Sequence, residues 1–248
     1  MGVTIHYSKS YFWLKSWAVA NIIQLGTQSF CHRFIDYHTD PCHRLYDQMV
    51  MAARSAVANI AEGTSRHDTS IETEMRLTDV ARGSIDELFG DYFNFLVSNK
   101  YGIWRTDDPN VRAVWNVSVD KPLFSKDLFH DVADYIIAQK AKYDPWIESD
   151  SPEICANALL LLCERLNRML QNMMDSQLEA FRKLGGFTEN MTQERLAKRK
   201  AEAAAANAPK CPRCGKPMQR RMIKKGERQG QEFWGCIDYP RCIGLRNI

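Results

Sequence analysis

Four cysteines near the end of the chain have the types and spacing to do chemistry. Cys211 and Cys214 are two residues apart, Cys236 and Cys242 five apart, and 21 residues separate the pairs. A thiolate pair on one tight turn offers two soft donors to a single ion, and Gly215 lets the backbone fold beneath it. A second pair closes a tetrahedron. Four thiolates suit Zn2+ at about 2.3 Å and leave no position open for water, so the site would be structural. Residues 209–248 are too few to bury a stable core unaided. Metal binding would then supply their folding free energy, on the order of 10–16 kcal/mol in zinc-finger peptides.

The same segment is rich in cations and aromatic rings. Arg213, Lys216, Arg220, Arg221, Lys224, Lys225, Arg228 and Arg241 are candidates for neutralising phosphates. Phe233, Trp234 and Tyr239 offer faces on which bases stack, worth roughly 1–3 kcal/mol per base whatever the sequence. The competing role for these rings is packing the small core of the metal-bound segment, to which Tyr239 leans because it sits beside Pro240. From Met191 onward there are 14 Lys and Arg against 5 Asp and Glu, a balance of +9, while the rest of the chain has 19 against 25, or −6. Four zinc-bound thiolates carry a net charge of about −2, which leaves the loaded tail clearly basic. An acidic body with a basic tail is the distribution expected of a protein that meets phosphates through its tail.

The other four cysteines, Cys31, Cys42, Cys155 and Cys163, are scattered. Cys31, His32, His38, Cys42 and His43 are near enough in sequence to be weighed as a second metal site. Elsewhere the expected signatures of catalysis are missing. A carboxylate-bridged metal bundle needs paired Glu-x-x-His motifs; Asp127 and His130 make one approximation to it. There is no Gly-rich phosphate loop, no Gly-x-Ser-x-Gly and no His-Glu-x-x-His. The expectation is a protein without a catalytic site.

Helices must position these groups. Trp13, Trp17, Ala20 and Ile23 mark one buried face of a first helix over residues 10–26, loosened at Gly26, with the pattern able to resume to Phe34. Asp40 and Pro41 announce a second, with Leu45, Met49, Ala52, Ala56 and Ile60 in register, stopped by Gly63. Asp68, Thr69 and Ser70 cap a third that runs to about Asn99. Residues 100–123 look irregular around Trp104 and Trp115, and a shorter helix follows from Ser125 to Lys142. The last helix opens at Ser151 and Pro152 and ends at Gly185 and Gly186. Its apolar seam is Cys155, Leu159, Leu162, Leu166, Met169 and Met173. Residues 188–208 are charged and alanine-rich, with almost no apolar face, and read as a linker.

Two resemblances add to this reading. The tail pattern Cys-Pro-x-Cys-Gly-x-Pro-Met, a basic connector and Phe-Trp-Gly-Cys-x-x-Tyr-Pro-x-Cys resembles the C-terminal four-cysteine zinc finger of bacterial type IA DNA topoisomerases. That implies a small β-ribbon that binds single-stranded DNA or, in some relatives, proteins. Nothing of a topoisomerase's catalytic domains accompanies it. Residues 48–63, with Asn59, Glu62 and Gly63, and residues 80–88, with Arg82 and Gly83, are similar to the four-helix-bundle family of proteins encoded in ribosomal-RNA intervening sequences. The accessory proteins of diversity-generating retroelements belong to that family. The resemblance implies ring-like pentamers that bind nucleic acid together with a reverse transcriptase. Asn59, Glu62, Arg66 and Arg82 are then expected to form a helix–helix or subunit–subunit network, and Gly83 to mark a close helix crossing.

The sequence therefore predicts an all-α, up-down four-helix bundle over residues 1–187, with a helical insertion at about 100–150, the linker, and a zinc ribbon over 209–248. The function expected is that of a non-catalytic, homo-oligomeric adaptor whose ribbons bind single-stranded DNA or RNA. The alternative is a scaffold whose ribbon docks a polymerase or reverse transcriptase. With no run of 18 apolar residues and no secretory signal pattern at the N-terminus, a cytoplasmic, membrane-free protein is the default.

Overall fold

The structure is a computed structural model that describes residues 10–36, 40–42, 44–67, 70–184, 191–198, 208–224, 226 and 228–248. The chain divides into two compact units, residues 1–186 and 187–248. The first is helical. A 3-10 turn, Ser10–Trp13, leads into α1 (Lys15–Phe34), followed by α2 (Arg44–Ser65), α3 (Ile71–Ser98), α4 (Pro109–Asn116), α5 (Leu128–Ala141), α6 (Asp144–Ile147) and α7 (Pro152–Leu184). The four long helices pack in a cycle, α1 on α2, α2 on α3, α3 on α7 and α7 on α1. Their shared core holds Ile22, Phe30, Met49, Ile60, Leu88, Tyr92, Leu159 and Leu166, all inaccessible to solvent. At its centre the Tyr92 hydroxyl donates to Thr27 Oγ1 at 2.9 Å, so the buried phenol keeps a partner.

The helix ends follow from local chemistry. Asp40 caps α2 by accepting from the amides of Arg44 and Tyr46 at 3.1 and 3.0 Å. Ser70 caps α3 by accepting from the Thr73 amide at 3.2 Å; Asp68 and Thr69 lie outside the described residues. Gly63 does not end its helix as expected, and at Gly26, expected to loosen α1, the helix continues to Phe34. Gly26 lies inside α1, where a Cβ would come within 2.8 Å of Leu159 Cδ2 on α7. Gly63 lies inside α2, where a Cβ would sit 3.3 Å from the Glu74 carbonyl oxygen on α3. Both mark close helix approaches. Gly83, expected to mark one, faces open space.

The seam of α7 also drifts. Cys155, Leu159, Leu162 and Leu166 are fully buried, but the line continues through Leu170 and Gln177, leaving Met169 and Met173 half-buried. A 3.6-residue helix departs steadily from a 3.5-residue repeat. Residues 100–151 contain more helix than expected, since α4 starts at Pro109 with Asp108 accepting from the Asn110 amide at 2.7 Å, and α6 follows α5. Glu148 holds this region to α1. It accepts from Ser29 Oγ at 2.6 Å and pairs with Lys140 at 2.5 Å and Arg33 at 3.5 Å. No helix among the described residues is long and apolar enough to cross a membrane.

The second unit carries a three-stranded antiparallel sheet in the order β1 (Met218–Met222), β2 (Glu232–Cys236), β3 (Leu245–Asn247). Its small core is Cys211, Met218 and Cys236, with Trp234 and Cys242 packed at the edge. Within the stretch expected to be a linker, residues 191–198 are helical, and 188–190 and 199–207 lie outside the described residues.

Candidate metal centre

Two turns bring the four thiols together. In the first, the Cys211 amide donates to the Lys216 carbonyl and the Gly215 amide to the Cys211 carbonyl, both at 2.9 Å. Gly215 adopts φ +72°, the left-handed conformation that a residue without a side chain takes most cheaply. In the second, the Cys242 amide donates to the Asp238 carbonyl at 3.0 Å, and the Cys236 amide reaches the Gly244 carbonyl at 3.0 Å. Cys211 Sγ then lies 3.7 Å from Cys242 Sγ, and Cys214 Sγ lies 3.5 Å from Cys236 Sγ. All four sulfur atoms fall within 4.8 Å of one another. A tetrahedron with metal–sulfur bonds of about 2.3 Å has edges of about 3.8 Å, so the cage has the size that Zn2+ requires.

The electrostatics need a cation. The Arg213 amide directed at Cys211 is the main influence lowering that thiol, to about 7, and the Cys214 amide and the neighbouring thiols act in the same direction against partial desolvation. Cys236 is pushed up to about 12: the Asp238 amide, 3.4 Å from its sulfur, favours the thiolate, but desolvation and the adjacent thiols outweigh it. Four anionic sulfurs at these distances repel one another, and one divalent ion removes the repulsion while displacing the protons. One structural Zn2+ held by Cys211, Cys214, Cys236 and Cys242 follows from the donor set. Gly244 completes the fit. A Cβ there would stand 2.2 Å from Cys211 Sγ, so this position tolerates no side chain. Gly244 stands two positions after the last cysteine, and the sequence by itself does not reveal the approach.

The strand register sorts the remaining candidates onto two faces. Arg220 pairs with Trp234 across β1 and β2, and Trp234 pairs with Arg246 across β2 and β3. Residues opposite one another share a face, so one face carries a row of arginine, tryptophan and arginine. The Arg220 guanidinium lies 5.4 Å from the centre of the Trp234 ring and also pairs with Glu232 at 3.3 Å. Arg246 was not among the residues singled out from sequence; its strand is three residues long, too short to show an alternation. Trp234 is half-buried, packed against the small core and still partly open to solvent.

The opposite face holds Phe233, paired with Arg221, and Gly235, paired with Leu245. Together with Tyr239 and Ile243 they line an open groove of about 870 Å³, which Arg221 and Lys224 also line. Arg221 lies 5.0 Å from the Tyr239 ring centre and donates to the Cys236 carbonyl at 3.4 Å. Tyr239 is 59% exposed, so it is not a core residue of the ribbon. Arg213 and Arg241 sit exposed on the two metal-binding turns, Lys216 pairs with Asp238 at 2.8 Å, and Arg228 lies in the exposed turn after β1. Lys225 lies outside the described residues.

Among its described residues the helical unit offers no comparable metal site. Of the residues considered for a second metal site, Cys31, His32 and Cys42 are described and do not form a metal-binding group. Cys31 is fully buried against Met49 Sδ at 3.9 Å, and burial pushes its thiol up to about 12. Cys42 and His32 are exposed, while His38 and His43 lie outside the described residues. Among the described residues, the four cysteines of the ribbon are the one group of three or more His, Cys, Asp or Glu placed to hold a metal ion. Asn59 donates to the Ser55 carbonyl in its own helix, Glu62 pairs with Arg66 at 3.6 Å, and Arg82 reaches Met174 Sδ at 3.6 Å and Asp79 at 3.9 Å. Asn59 also donates to Ser55 Oγ at 3.1 Å, which lies 3.0 Å from Ser84 Oγ, so a polar chain runs from α2 to α3 here. A cleft beside them is lined by Asp86, Glu87 and Asp91 and carries no basic residue, a lining that repels phosphate.

Residues 208–248 match the family described as topoisomerase DNA binding C4 zinc finger. No curated protein and no solved structure matches the chain.

Proposed function

We propose that this protein is a non-catalytic adaptor that binds single-stranded nucleic acid, DNA or RNA, through its C-terminal zinc ribbon. The observation that carries the proposal is the row of Arg220, Trp234 and Arg246 on one face of a ribbon that belongs to a DNA-binding zinc-finger type. The tryptophan offers a stacking surface and the arginines flank it where the phosphates of a stacked strand pass. The basic tail concentrates such contacts, and the acidic body does not compete for them.

The helical unit is read as an up-down four-helix bundle of α1, α2, α3 and α7, supported by the cyclic packing of those helices and the short links α1–α2 and α2–α3. Its role in the proposal is to join several ribbons. Ribbons held together on an oligomer bind one strand with an avidity far above that of one ribbon. The test is the anisotropy of a labelled oligothymidylate titrated with the zinc-loaded chain. Trp234→Ala is expected to weaken binding about five- to a hundredfold, with zinc content unchanged. An unchanged affinity would remove the stacking role and the proposal with it.

A further inference from the structure

The groove on the other face of the ribbon sets exposed aliphatic side chains beside the rings of Phe233 and Tyr239. Leu245 is 66% exposed and Ile243 56% exposed, and both line it. Exposed aliphatic side chains gathered in one concavity are costly in water and mark a surface that a partner covers. Leu245 and Ile243 present no π-face to a base, and of the groove's two rings Tyr239 already has the Arg221 guanidinium 5.0 Å from its centre. The groove's basic side chains are Arg221, which donates to the Cys236 carbonyl, and Lys224, and the zinc-bound Cys236 also borders it. Aliphatic walls with two cationic side chains among them are complementary to a segment bearing Leu or Ile together with Asp or Glu.

We infer that this groove docks an acidic, aliphatic polypeptide segment of a partner protein, so that one ribbon holds a strand on its Trp234 face and a protein on its Leu245 face. The inference rests on the folded zinc ribbon and stands independently of nucleic-acid binding by the other face. Gly235 leaves room for the Arg221 side chain that lies over it, because a Cβ there would come 2.9 Å from Arg221 Cδ. The acidic residues of the partner would meet Arg221 and Lys224, where they set orientation and exclude basic segments.

The experiment selects peptides from a random displayed library on the full, zinc-loaded chain. Enriched peptides are expected to combine aliphatic residues with Asp or Glu. Leu245→Ser and, as a second variant, Ile243→Ser are each expected to weaken the selected peptides about tenfold, the scale of one lost buried aliphatic side chain. Both variants should retain one zinc per chain and bind oligothymidylate within about twofold of the parent. Lys224→Gln should weaken the peptides and lower their salt dependence. Enrichment of basic peptides, no enrichment, or peptide binding indifferent to both serine variants would overturn the inference. Loss of oligothymidylate binding in the serine variants would assign the groove to the strand instead. Sedimentation showing self-association that Leu245→Ser abolishes would assign it to a second copy of this chain.

Discussion

At the residue scale, the metal centre depends on the thiols and on the space around them. Gly244→Ala places a carbon 2.2 Å from Cys211 Sγ, a distance that only a backbone shift relieves. The expected result is a fall in zinc affinity of at least about tenfold, read by competition with a chromophoric chelator; metal-ligand surroundings commonly carry effects of that size. Parent-like affinity would mean that the second turn is looser than its hydrogen bonds indicate. The four ligands were legible because cysteine spacing encodes the two turns directly. Gly244 and Arg246 were not, since their roles exist only once the second turn and β3 fold back on Cys211 and Trp234. The cations near the cysteines were legible as a group, but their division between two faces needed the register of β1 against β2.

At the scale of elements, glycines separate two kinds of helix position. Gly26→Val forces a side chain into Leu159 at the α1–α7 contact and is expected to cost about 1–3 kcal/mol through overpacking. Gly83→Ala meets nothing within 4 Å on the exposed side of α3 and is expected to stabilise by about 0.5–1 kcal/mol. Urea denaturation of both variants checks this pair, and equal effects would contradict the packing. From sequence alone the two positions invite the opposite reading, because a glycine's tolerance is set by the helix it faces. The apolar stripes of α2 and α3 were readable from their own periodicity, whereas α4 and α6 are short elements held by tertiary contacts that periodicity does not report.

The link between the residues 100–151 region and α1 adds a pH dependence. Desolvation raises the Glu148 carboxyl, but hydrogen bonds from Lys140 and Ser29 and the charges of Lys140 and Arg33 outweigh it, leaving the group below its ordinary value. A carboxylate depressed in the folded state adds stability that is fully present above its unfolded pKa near 4.5 and is lost as pH falls through the folded value. Glu148→Gln should therefore destabilise the helical unit at neutral pH and reduce its loss of stability between about pH 5 and pH 3. Thermal melts at a series of pH values read this, and parallel profiles for parent and variant would exclude the pairing as a source of the dependence.

At the scale of the whole molecule, the two units have separate cores. The helical core is built from apolar side chains, and the ribbon core is built largely from metal ligands. A chelator should therefore unfold the ribbon and leave the helical far-ultraviolet signal and melting temperature of residues 1–186 nearly unchanged. A general loss of helicity would show that the units fold as one. The proposed function divides the charge between an acidic helical body and a metal-shaped, cationic ribbon, and assigns the strand to the ribbon. The most direct measurement is the affinity of the zinc-loaded chain for oligothymidylate across a series of salt concentrations. The account predicts a straight fall of log affinity with log salt, with a slope near −2 for about three phosphates engaged per ribbon, abolished by chelation. A flat line, or binding that survives removal of the metal, would contradict it.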